Sequence, residues 1–215
     1  QNISVVCSCV ICQCWIDSIG KVTYFLTNFA LMTQFNPLQT IKRRFFAMRN
    51  GIVADTLRKA GSPYRIIFGL NLPQISEIAR VTGCNHEMAE TLLADNHTRE
   101  SQLMASMIAD PAMIDHDEAT RWCDAMLSAE AVDVLCLKLL RRISDPVNTA
   151  IRWTTETSPE NAPLRRYAGI RLMWNLIPQH SPSLRPVAAE AARQGGDHAV
   201  LAAHLVEEID FLAGE

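Results

Sequence analysis

The sequence predicts an all-α protein arranged as an α-solenoid of antiparallel helical hairpins, and three observations carry that expectation. Alanine supplies 25 of the 215 residues and glycine only 9, a composition that favours helical backbone. From Asn36 onward, capping side chains stand directly before prolines, in Asn36-Pro37, Asp145-Pro146 and Ser181-Pro182. Between these stops apolar residues recur every three or four positions, as in Ala131, Val134, Leu135 and Leu139, or Ile170, Met173, Trp174 and Ile177.

Residues 1–31 stand apart from this pattern. They hold four of the seven cysteines and one alanine, with many β-branched and aromatic side chains. The apolar run Ile3–Ile16 is 14 residues long, short of the roughly 20 that span a bilayer. No basic residue precedes it, as a signal peptide would need. Cys7, Cys9, Cys12 and Cys14 offer thiolates to a soft metal, but no second Cys/His knuckle follows at zinc-site spacing. We read 1–31 as a poorly ordered or non-native extension and 32–215 as the helical domain, with Met32 and Met48 as candidate starts.

Along that domain, helices are expected at 37–48, 51–60, 73–82, 86–95, 98–109, 116–127, 129–143, 146–157, 162–177, 183–194 and 198–212. Asn36-Pro37 opens the first, and Asp115 with Glu118 three residues on, close to a capping box, opens the sixth. Asp145-Pro146 opens the eighth and Ser181-Pro182 the tenth. The rest follow from apolar spacing. Links of mostly two to six residues force neighbours to pack antiparallel. Hairpins begin near 86, 116, 146 and 182, intervals typical of stacked HEAT-like units. Trp122 and Trp153 occupy equivalent places in consecutive pairs, with Leu92 or Leu93 in that slot one pair earlier. Both indoles are expected in the core between repeats.

The net charge of −3 excludes a uniformly basic protein, yet it conceals segregation. Residues 32–66 carry seven basic and one acidic side chain, and 67–135 carry three and twelve. Residues 136–185 carry eight and three, and 186–215 one and six. On a helix running from 129 to 143, Lys138, Arg141 and Arg142 share a face. Arg165 and Arg166 fall in the first turn of the helix near 162, where the dipole disfavours cations. With Arg152 and Arg171 these residues form a candidate phosphate-contacting set, the alternative being salt bridges to the acidic block. Asp133 lies in the first turn of its expected helix, which suits a helix-start acid as well as a catalytic one. No Ser-His-Asp set or carboxylate dyad stands out, and the six histidines are scattered, so neither a metal nor another cofactor is expected. Cys84, Cys123 and Cys136 read as reduced thiols, consistent with a cytoplasmic protein.

Several segments in order resemble the DNA alkylation repair family of HEAT-like proteins. They are Met48-Arg-Asn-Gly-Ile-Val-Ala-Asp55, Glu100-Ser-Gln-Leu-Met-Ala-Ser-Met-Ile-Ala-Asp110, Val132-Asp133, and Trp153 followed by Arg165-Arg166. The resemblance spans roughly 48–210 and is closest to a divergent branch of the bacterial alkylpurine DNA glycosylases. It implies a C-shaped solenoid holding duplex DNA in a basic groove. It also implies excision of N3- or N7-alkylated purines without flipping the base into a pocket. An aspartate would stabilise the charge developing on the sugar, tryptophans would flank the lesion, and an arginine would hold the backbone. On this sequence Asp133 matches the aspartate and Arg166 the arginine. Ala129 stands where active members carry the first tryptophan, and His204 or Leu205 fills the slot of the second. The expectation is therefore a monomeric DNA-binding solenoid with a conditional glycosylase role for Asp133. The alternative is a non-catalytic scaffold for a protein partner. No membrane association is expected in either reading.

Overall fold

In the computed structural model the described residues are 36–156, 162–196 and 198–214, and the expectations for 1–31, its four cysteines included, fall outside them. The chain divides between Thr40 and Ile41, and the packing below concerns the part from Ile41 onward. Among the described residues ten α-helices follow one another: α1 Pro37–Ala47, α2 Gly51–Lys59, α3 Leu72–Thr82, α4 His86–Ala94, α5 Arg99–Ile108, α6 His116–Asp124, α7 Ala129–Lys138, α8 Pro146–Thr155, α9 Arg165–Gln194 and α10 Ala199–Ala213. Among the described residues the extended chain makes one isolated bridge, Ile66 to Thr98. This is the HEAT-like helical repeat fold.

The caps explain where the helices begin. Asn85, Asp115 and Asp145 each accept a backbone N–H three residues on, from Met88 at 2.9 Å, Glu118 at 2.9 Å and Asn148 at 3.2 Å. These three caps recur every 30 residues and start α4, α6 and α8. Asn71 and Gln74 make a reciprocal capping box on α3. Helices α3, α5, α7 and α9 pack in succession, with α4 against α5, α8 against α9 and α10 against α9.

Trp122 and Trp153 are buried between consecutive pairs, as their spacing suggests. The Trp122 ring stacks on His86 with centroids 6.2 Å apart, and its Nε1–H donates to Glu90 at 2.9 Å. Trp153 repeats this one unit later, against His116 at 6.4 Å and with Nε1–H donating to Thr120 Oγ1 at 3.2 Å. Histidine opens the earlier helix in each case, and the acceptor stands one turn further on.

Many expected boundaries shift by one to three residues, and two differ in kind. The helix expected to run from 129 to 143 ends at Lys138, and Leu140–Arg142 forms a 3-10 turn. There Arg142 N–H bonds Leu139 O at 3.0 Å and Ile143 N–H bonds Leu140 O at 3.3 Å, tightening the chain before the Asp145 cap. Lys138, Arg141 and Arg142 therefore share no α-helical face. Conversely, 162–177 and 183–194 belong to one helical run, α9, whose conformation breaks at His180 (φ −135°, ψ 15°) among Pro178, Pro182 and Pro186. Arg166 at its start nonetheless bonds Gln194 at its end at 3.0 Å. A straight helix would hold those residues about 40 Å apart, so the two arms fold back on each other at His180. Close packing is visible at Gly169 on the first arm, where an added Cβ would lie 2.5 Å from Thr154 Oγ1 and 2.9 Å from Thr154 N on α8.

Candidate nucleic-acid interface

Asp133 is the fifth residue of α7, beyond the first turn, so the helix dipole does little for it. Its environment comes instead from α9. Oδ1 accepts the Tyr167 hydroxyl at 2.8 Å and the Arg171 Nε–H at 2.6 Å. The Asp133 and Arg171 side chains remain 37% and 29% exposed. Burial and the adjacent carboxylate push the Tyr167 phenol well above its usual range, so it stays a proton donor to Asp133. The Tyr167 ring lies tilted against the imidazole of His198, centroids 5.4 Å apart. A carboxylate engaged by a guanidinium already has a partner for its charge. To stabilise a cationic sugar it would have to leave Arg171.

The basic residues singled out from the sequence separate into two groups. Arg165 pairs with Asp124 of α6 through both carboxylate oxygens, Nε to Oδ1 at 3.1 Å. Arg166 reaches Gln194 and the Ala191 carbonyl, Arg171 holds Asp133, and Arg152 bonds Glu156, just past the end of its own helix, at 3.2 Å. Lys138, Arg141 and Arg142 are exposed and make no side-chain hydrogen bond or ion pair among the described residues. Lys138 also borders a cleft of about 310 Å³ beside Arg80, Gly83 and Cys84.

Sequence reasoning missed a buried polar network at the start of α5. Arg99, Glu100, Ser101 and Gln102 are all at most 4% exposed, although a polar opening turn normally faces water. Glu100 Oε1 accepts the N–H groups of Gly69 at 2.9 Å and Leu70 at 3.3 Å, and Oε2 accepts that of Phe68 at 3.1 Å. Arg99 donates to Glu100, to the Leu70 carbonyl at 2.9 Å and to both oxygens of Glu130. The clamped segment requires Gly69, at φ +78°, because a Cβ there would sit 2.2 Å from the Asn50 carbonyl oxygen. Only the polar run itself signals this network, and an exposed helix start has the same appearance.

Among the described residues no three His, Cys, Asp or Glu side chains converge as a metal site, and no helix is long and apolar enough to cross a membrane. Cys123 and Cys136 are buried free thiols. Burial pushes the Cys123 thiol up to about 12, away from thiolate chemistry.

The model of the DNA alkylation repair enzyme family matches residues 41–197. A solved structure described as a new family of proteins related to the HEAT-like repeat DNA glycosylases, with affinity for branched DNA structures, is similar at a TM-score of 0.66. It is 17% identical, and the match covers 80% of this chain and 74% of that one. No curated protein matches the chain.

Proposed function

The chain belongs to the DNA alkylation repair enzyme family, and from that premise we propose that it binds DNA by the phosphate backbone without excising bases. The observation that carries the reading is the contrast between Lys138, Arg141 and Arg142, exposed and uncommitted, and Arg152, Arg165, Arg166 and Arg171, which already hold protein partners. Phosphate contacts supply affinity without reading sequence. Three of them give a slope of about −3 for log affinity against log salt. The Asp133–Arg171 pair and the absence of indoles at Ala129 and His204 argue against excision. The fold relative's affinity for branched DNA makes junctions a natural ligand to set beside duplex.

The test pairs two assays. Fluorescence anisotropy across a salt series should give that slope for wild type, and a much flatter one when Lys138, Arg141 and Arg142 are all changed to alanine. Incubation with duplex containing 7-methylguanine should release no base above background. Release that disappears in Asp133→Asn would restore the glycosylase reading. Salt-independent or absent DNA binding would leave the protein-partner scaffold as the better account.

A further inference from the structure

We propose that the exposed ridge running from the end of α1 to the start of α2 stacks on the bases laid open at a DNA branch point. The proposal rests on the DNA-binding reading and adds a second, separate surface to it. Phe46 is 56% exposed, Ile52 82%, and Met48 and Val53 37% each. The four lie within eight consecutive residues, a concentration of exposed large apolar side chains of the kind found at contact sites. The core-facing stripe of α1 is already used, since Ile41 and Phe45 are buried. Phe46 therefore projects beyond the core.

Phe46 is also held ready. The guanidinium carbon of Arg49 lies 3.9 Å from the ring centroid, and Arg49 Nη1–H donates to the Phe46 carbonyl at 2.9 Å. An aromatic ring and a planar cation are thus stacked before any ligand arrives, which lowers the ordering cost of binding. The stretch 32–66 around them carries seven basic side chains and one acidic, and Arg44, Lys59 and Arg65 are exposed along it. Apolar side chains set in a strongly positive surround match a polyanion with accessible base faces. Intact duplex keeps its bases stacked and offers such a ridge only sugar, phosphate and groove edges. A branch point exposes the terminal pair of each arm. A lipid surface would require a continuous apolar helix face, and α1 has committed that face to the core.

The experiment compares a four-way junction with a duplex of the same arm sequence, using Phe46→Leu and Ile52→Ser. Ile52 is 82% exposed, so its substitution removes no core contact, and circular dichroism checks the fold of both variants. Phe46→Leu should weaken junction binding about 10-fold, the scale of losing one stacked base, and Ile52→Ser by a smaller factor, while duplex affinity and the salt slope stay at wild-type values. A 2-aminopurine placed at the branch should be quenched by wild type and not by Phe46→Leu. Equal losses on junction and duplex would overturn the proposal, as would junction binding and quenching that both variants leave intact. If the ridge variants behave as wild type while the Lys138, Arg141 and Arg142 triple variant loses binding, the ridge alone fails. If wild type binds neither DNA, the underlying DNA reading fails with it.

Discussion

Two arginine–carboxylate clusters on the neighbouring helices α5 and α7 behave as opposites. At the start of α5, Glu100 is fully buried, both its oxygens are filled, and Arg99 beside it is equally enclosed. On α7, Asp133 is more than one-third exposed and places both donors on a single oxygen. The first cluster is closed around Glu100: it ties three backbone N–H groups of the 68–70 segment to α5, and only the outer partner of Arg99, Glu130, reaches solvent. The second is open to water, because more than a quarter of each side chain in the Asp133–Arg171 pair faces solvent. Identical chemical groups therefore serve architecture in one place and accessibility in the other, and burial makes the difference.

The largest expected effect breaks the closed cluster. Glu100→Ala leaves Arg99 charged and buried beside three orphaned N–H groups, and should cost about 3–5 kcal/mol in a urea titration. Asp133→Ala in the same experiment should cost under about 1 kcal/mol. Equal costs would erase the distinction between the two clusters.

A second test uses alkaline pH. The Tyr64 hydroxyl donates to Gln102 at 2.6 Å and lies 3.1 Å from Ser128 Oγ, and burial raises its pKa from 10.0 to about 12. The unfolded phenol ionises first, so the folded state binds the extra proton and stability falls as pH rises from 10 to 12. Urea midpoints should fall less steeply over that window in Tyr64→Phe than in wild type. Parallel curves would mean that the polar network around Gln102 is more open than its geometry indicates.

Smaller effects probe the open cluster. Asp133→Asn should release Arg171 to a phosphate, raising DNA affinity and steepening the log–log salt slope by about 0.9. An unchanged slope would show that Arg171 stays committed even without a charged partner. The smallest change expected is in Arg152→Ala, which removes an exposed i, i+4 pair with Glu156 and should alter the unfolding free energy from urea titration by less than ~0.5 kcal/mol.

The helices and their 30-residue recurrence were legible in the sequence because caps and apolar periods are local. Asp115, Asp145 and the two tryptophans announce their roles within one turn of themselves. The end of α7 was not legible: Leu139–Ile143 keeps an apolar spacing that suits helix as well as the 3-10 turn adopted. Glu100 begins one of the segments that carry the family resemblance, but its backbone partners stand about thirty residues upstream, in a segment with no periodicity of its own. Asp133 stands out in the sequence only as a candidate, without its partners. Its attachment to Tyr167 and Arg171, 34 and 38 residues later, depends on how α9 lies against α7. Contacts at that separation leave no trace in local pattern.

The two histidine–tryptophan contacts make the molecule divisible into interchangeable parts. The cassette 115–144 brings a plug, Trp122, that fits the socket of the unit before it, and a socket, His116 with Thr120, that receives Trp153 from the unit after it. A second copy of that cassette inserted after Ser144 would find its own indole facing an original socket, and Trp153 facing the new one. The array can thus be lengthened in whole steps, whereas an insertion of any other length would leave an indole opposite the wrong turn of helix.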